Sequence, residues 1–230
     1  MKDIDTRVNQ RCKKCGQNFR RRHQTRVVVQ NLPLREPKEN REIPPLNRPG
    51  IPPYIVTWAD PEYLARFTDD IKAARRDCAI VIASCHWGLD KDILRYMTEI
   101  AHAAIDAGAD IVMGHGPHYS LPVGMHKGKP IFYGLGNLSF HTGHGGRAHG
   151  DWLGMLVRAT VGKGGIEDVR FRFVRHDEGN ETYCSDPDRE AEALADLAAP
   201  SESFGAMLTR DGDELRIAAG KPLEPRARLG

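Results

Sequence analysis

Three apolar runs, each ending in a polar, glycine-containing loop, constrain this chain more than any other feature. Ala79 to Ala83 leads into Ser84-Cys85-His86-Trp87-Gly88, and Ile111 to Met113 leads into Gly114-His115-Gly116-Pro117-His118. Pro130 to Tyr133 leads into Gly134-Leu135-Gly136-Asn137. Runs of this kind, with no polar face, mark strands buried on both sides. Helical periodicity fills the intervals. Asp60 can cap a helix that opens at Pro61, with Leu64, Phe67, Ile71 and Ala74 on one face. Leu94, Met97, Ala101, Ala104 and Ile105 predict a second helix from about Lys91 to Ala107, with Gly108 as its stop. Helix and strand in alternation predict a layered α/β domain.

Beyond Trp152 the pattern becomes antiparallel. Leu156 to Val161, a turn at Gly162 to Gly165, and Val169 to Val174 predict a hairpin. In its second strand Val169, Phe171 and Phe173 alternate with Arg170 and Arg172, which gives one buried and one solvated face. A late helix is expected from about Pro187 to Leu197, and a turn at Asp211-Gly212. Residues 1–54 lack periodicity apart from the short Val27-Val28-Val29 and read as an irregular, basic and proline-rich arm; residues 55–220 read as the domain. Up to Arg26 the chain holds nine Lys or Arg against two Asp, yet the net charge of the whole is only +2. So small a total does not point to a polyanion bound by the entire surface. Five cysteines cannot all pair within one chain. With no signal-peptide pattern and no apolar stretch long enough to span a bilayer, the chain as written is expected to be cytoplasmic and reduced.

Candidate chemistry gathers where the three runs end. Functional groups of open α/β sheets collect beyond the carboxyl ends of strands. Imidazole suits zinc, iron and related metals, and glycine lets backbone approach an ion closely. His86, His115 and His118 are therefore the candidate metal ligands. His23, His102, His126 and His176 stand apart from this pattern and read as structural. His141, His144 and His149 either border the site or belong to a surface loop.

These blocks carry a family resemblance. Ala79 to Gly88 resembles the His-Trp-Gly-x-Glu segment of the CapA family of poly-γ-glutamate capsule-synthesis proteins. Ala107 to His118 resembles that family's next block, and Lys127 to Asn137 its third. The likeness is clear from Asp60 to Phe140, weaker onward to about Ile217, and limited in the arm chiefly to Pro49-Gly50-Ile51. It implies a calcineurin-like metallophosphatase fold, an α/β/β/α sandwich with an antiparallel C-terminal part. It also implies two divalent ions (manganese, zinc or iron) that activate water against a phosphoester, with Trp87, Asp90 and Asn137 lining the same cleft as substrate-binding residues. Implied partners are a polyanionic capsule polymer or a phosphoester substrate, with no nucleic acid, and the family is often membrane-anchored or secreted.

Departures accompany the matches. Gly116 stands where many relatives have a further histidine, and Asp90 where they have Glu. Upstream of His86 there is no Asp-x-His, no Gly-Asp after an apolar strand, and no Gly-Asn-His. A truncated or degenerate copy with an incomplete sandwich is the expectation, with an unpaired sheet edge where strands are lost. Two other readings belong to different classes. One is a non-catalytic capsule-assembly partner. The other is a zinc-stabilised, nucleic-acid-binding module built on Cys12, Cys15, Arg20-Arg21-Arg22 and His23, although no second ligand pair follows.

Overall fold

A computed structural model describes residues 57–139, 153–179 and 181–220, together with the backbone of Thr25–Gln30. Cys12, Cys15, His23, His141, His144 and His149 lie outside the described residues, as does the rest of the arm. No described helix is long and apolar enough to cross a membrane.

The first sheet has the strand order β1-β2-β3-β5-β4, formed by β1 (Thr25–Gln30), β2 (Ile80–His86), β3 (Ile111–His115), β5 (Lys129–Phe132) and β4 (Val123–His126). All neighbours are parallel except β4, which runs antiparallel to β5. Helices α1 (Pro61–Asp77) and α2 (Arg95–Asp106) pack on one face through Phe67, Ile71, Met97, Ile100 and Ala104, which meet Val81, Ala83, Val112 and Ile131. The second sheet is antiparallel, in the order β6-β7-β10-β9, from β6 (Gly154–Gly162), β7 (Gly165–His176), β10 (Glu214–Ala219) and β9 (Ala206–Asp211). A short strand, β8 (Thr182–Cys184), pairs with the end of β7. Val169, Phe171, Phe173, Leu215 and Ile217 turn inward against Ile111, Val123 and Phe132 of the first sheet.

The layers are thus helix, sheet, sheet, three of the four layers of the implied sandwich among the described residues. Helix α3 (Ala191–Ser203) closes the rim, with Leu197 in the inter-sheet core and Ser201 Oγ accepting from the Val123 amide. The outer face of the second sheet carries ion pairs, among them Arg170 with Asp168 and Arg216 with Asp168. Arg175 and Glu190 form a further pair, joined by the Ser185 hydroxyl at 2.5 Å from Glu190.

Several sequence expectations hold at the residue level. Asp60 Oδ1 accepts from the Glu62 and Tyr63 amides at the start of α1, and Gly108 follows α2 in a left-handed conformation. Others need correction. Helix α2 begins at Arg95 rather than near Lys91, because Gly88 and Asp90 take positive φ values and a Leu89–Asp92 bridge closes a turn first. Helix α3 starts later than Pro187 and passes through Pro200 to Ser203. Strands β4, β8, β9 and β10 were not foreseen; of the last two only the connecting turn at Asp211-Gly212 was expected. Strand β1 pairs beside β2, with Val27 opposite Ile82.

Candidate functional site

The site is built at the carboxyl edge of the first sheet. His86 and His115 are register partners on the parallel strands β2 and β3, so their side chains leave the same face. That face looks toward the second sheet, since Ile82 and Met113, two or four residues earlier on each strand, pack into the inter-sheet core. The imidazoles stack with centroids 5.2 Å apart and planes at 17°. Ser84, buried two residues before His86, lies 3.1 Å by its hydroxyl from His115 Nε2. Burial first, and the neighbouring His86 second, hold His115 below the ordinary histidine value. Near neutral pH it is therefore an uncharged imidazole, which can accept a proton or a hydrogen bond.

Close backbone contacts set this pair. A Cβ on Gly114 would lie 2.3 Å from Trp87 Nε1 and 2.4 Å from the Tyr133 carbonyl oxygen. One on Gly116 would lie 2.5 Å from His86 Cδ2. The glycines flanking His115 thus let the second loop press against the first. Trp87 is buried and donates its indole N–H to the Tyr133 carbonyl at 2.8 Å, a bracing position beneath the loops. Asp90 stands exposed in the turn that follows.

His118 sits further along the second loop with φ of 66°, a left-handed conformation uncommon for a residue with a side chain. Its Nδ1 donates to Asn137 Oδ1 at 2.9 Å, which ties the second loop to the third. Asn137 is buried, and its Nδ2 has no hydrogen-bond partner among the described residues. The third loop is stitched to the second sheet in turn: the Met155 amide donates to the Leu135 carbonyl at 2.8 Å, and Ser120 Oγ donates to the Leu153 carbonyl at 2.6 Å.

The structure therefore joins His86 to His115, and His118 to Asn137, along one edge. Sequence reasoning missed Ser84, whose part depends on strand register. It also missed Asp110 of the second block. Asp110 accepts from the Val81 amide at 2.8 Å, from Arg75 at 2.5 Å and from Lys129 at 3.1 Å, tying α1 and β5 to β2.

A two-ion centre does not fit the described residues. No group of three His, Cys, Asp or Glu among them is arranged to hold an ion, and a catalytic zinc site ordinarily needs three protein ligands. The histidines come in pairs, and no carboxylate stands between them to bridge two cations.

Comparison with known proteins identifies the fold's relatives. Residues 14–142 match the family described as bacterial capsule synthesis protein PGA_cap. The match contains all three loops and reaches back into the region read as an arm. The chain is 40% identical over 99 residues to the PGA biosynthesis protein CapA of Bacillus subtilis, which covers 42% of this chain and 24% of that protein. It is 34% identical over 87 residues to the capsule biosynthesis protein CapA of Bacillus anthracis, covering 36% of this chain and 21% of that one. A third relative is the "Probable polyglutamine synthesis accessory protein Rv0574c" of Mycobacterium tuberculosis, 39% identical over 70 residues, 30% of this chain and 18% of that one. In each case the chain spans less than a quarter of the relative's length. With the family match running over more than half of its 230 residues, the chain belongs to the bacterial capsule synthesis protein PGA_cap family.

Proposed function

We propose that this chain acts in poly-γ-glutamate capsule synthesis, and that its part is played at the imidazole-lined edge of the first sheet. In this reading the cleft binds an anionic group, either a carboxylate of the polymer or a phosphoester. The observation that carries the reading is the junction of three strand-end loops, all inside the family match, through the His86–His115 stack and the His118–Asn137 hydrogen bond. Imidazole N–H groups and side-chain amides supply donors for an oxygen ligand. The account calls for no metal-bound step, in keeping with the donor set.

Calorimetric titration of the protein with a poly-γ-glutamate oligomer tests this. Binding that falls about tenfold or more in His118→Ala is expected, since the loop junction that orients Asn137 is lost. No measurable binding by the unaltered chain would refute the proposal.

A second reading, a metal-dependent phosphoesterase-like hydrolase, is favoured by one observation. The His86 and His115 rings stack at one strand edge, two nitrogen donors of a type that metals accept. Carboxylate donors would then have to come from beyond the described residues. Manganese-dependent turnover of a phosphodiester, abolished in His86→Ala, would establish it; equal turnover in the two proteins would dismiss it.

A further inference from the structure

The turn after β2 is fastened to the loop after β3, and the fastening sets a lysine over that loop. The Trp87 amide donates to the His115 carbonyl at 2.9 Å. Gly88, with φ of 97°, lies so close to Pro117 that a Cβ there would meet the ring at 2.4 Å. The Gly88 amide donates to the Tyr96 hydroxyl at 2.7 Å, which anchors the turn to α2. On this pinned turn Lys91 extends over Tyr119, with its Nζ 5.0 Å from the ring centroid. Tyr119 directly follows His118.

The charge of Lys91 is not neutralised. Among the described lysines, Lys72 pairs with Asp69, Lys127 with Asp106 and Lys129 with Asp110. Lys91 has no carboxylate partner among the described residues, although Asp90 and Asp92 flank it in sequence. An aromatic face orients an ammonium without cancelling its charge. The result is an exposed cation oriented over the residue that follows His118 in the second loop.

We infer that Lys91, held over Tyr119 by the pinned turn, is the anion-recognition residue of the cleft. The inference rests on the proposed function and adds to it the selection of ligands by negative charge. The shared chemistry is an anionic oxygen group, which a polymer carboxylate or a phosphoester could supply. Lys163, exposed in the β6–β7 turn and likewise without a carboxylate partner among the described residues, is a charge-matched control.

The test is fluorescence anisotropy with a labelled poly-γ-glutamate oligomer at two salt concentrations, on the unaltered chain and on Lys91→Met, Lys91→Arg and Lys163→Met. Lys91→Met should bind about five- to tenfold more weakly, with a smaller salt dependence, as expected when one charge-assisted contact is lost. Lys91→Arg and Lys163→Met should bind within about twofold of the unaltered chain, because each keeps a cation at Lys91. Displacement of the label by unlabelled oligomer at lower concentration than by phenyl phosphate assigns the anion to the polymer; the reverse order assigns it to a phosphoester. Equal binding by Lys91→Met and the unaltered chain would overturn the inference while leaving the proposed function standing. Equal weakening in Lys91→Met and Lys163→Met would overturn it too, as a mere effect of net charge. Failure of the unaltered chain to bind either probe would remove the proposed function and the inference with it.

Discussion

Gly116 shows how much of the site is decided by single positions. Its φ of 117° lies where an L side chain is strained, and a Cβ there would stand 2.5 Å from the His86 ring and 2.6 Å from the Trp87 carbonyl oxygen. Gly116→Ala is therefore expected to lose about 1–3 kcal/mol of stability from overpacking and backbone strain. Urea unfolding would measure this, and an altered His86 imidazole resonance in the native state would place the disturbance. Full stability with unchanged His86 signals would contradict the packing described. The same position was noted in the sequence as a departure from relatives that carry histidine there. What the sequence could not show is that the glycine gives room to a neighbouring histidine. His86, His115 and His118 were legible because each follows an apolar run. Ser84 was not, since its 3.1 Å approach to His115 requires knowing that β2 and β3 are parallel neighbours in that register.

Among elements, the attachment of α2 to β4 carries a titratable joint. His102 of α2 stacks on His126 of β4 with centroids 4.1 Å apart and planes at 7°. His126 Nε2 is 2.9 Å from Asp106, which also pairs with Lys127. Burial, followed by the charge of His126, lowers the His102 value from its ordinary 6.5. A folded value below the unfolded one means that the unfolded chain binds the proton more readily. The stabilising contribution is thus present above the unfolded value and is lost as pH falls through it toward the folded value. The unfolding midpoint should drop from pH 7.5 to pH 5.5 by less in His102→Gln than in the unaltered chain. An identical drop would show that the stacked pair takes no part. Both histidines read as structural from sequence, and their pairing follows from β4, a strand that the sequence hid. Its four residues, Val123 to His126, include a glycine packed against the Tyr133 ring and offer no alternation to detect. Helix α3 was misplaced for a related reason. Pro200 signals a stop, yet the helix continues through it and Ser201 is held in the core by the Val123 amide.

At the scale of the molecule, the two sheets share a core that positions the strand-end loops. Phe171 is fully buried at its centre, packed edge-on against Phe173 at 5.4 Å and facing the first sheet. Phe171→Ala should cost about 3–5 kcal/mol, the range for removing a buried aromatic side chain. Loss of native fluorescence and of secondary structure at one shared denaturant midpoint would show the sheets unfolding together. Separate midpoints would contradict a common core. The alternation of Val169, Phe171 and Phe173 with arginines made this face readable, whereas Asp211-Gly212 signalled only the turn of the last hairpin and not its strands. The pairing of β1 beside β2 was not readable, because Val27 to Val29 is too short a run to stand out from polar surroundings.

The measurement that bears most directly on the account is side-chain NMR of the histidines and asparagines during titration with a poly-γ-glutamate oligomer. The account predicts saturable shifts at His115, His118 and the Asn137 amide, with His102 and His176 unmoved. Shifts confined to the arginine-bearing outer face of the second sheet, with the strand-end histidines silent, would contradict it.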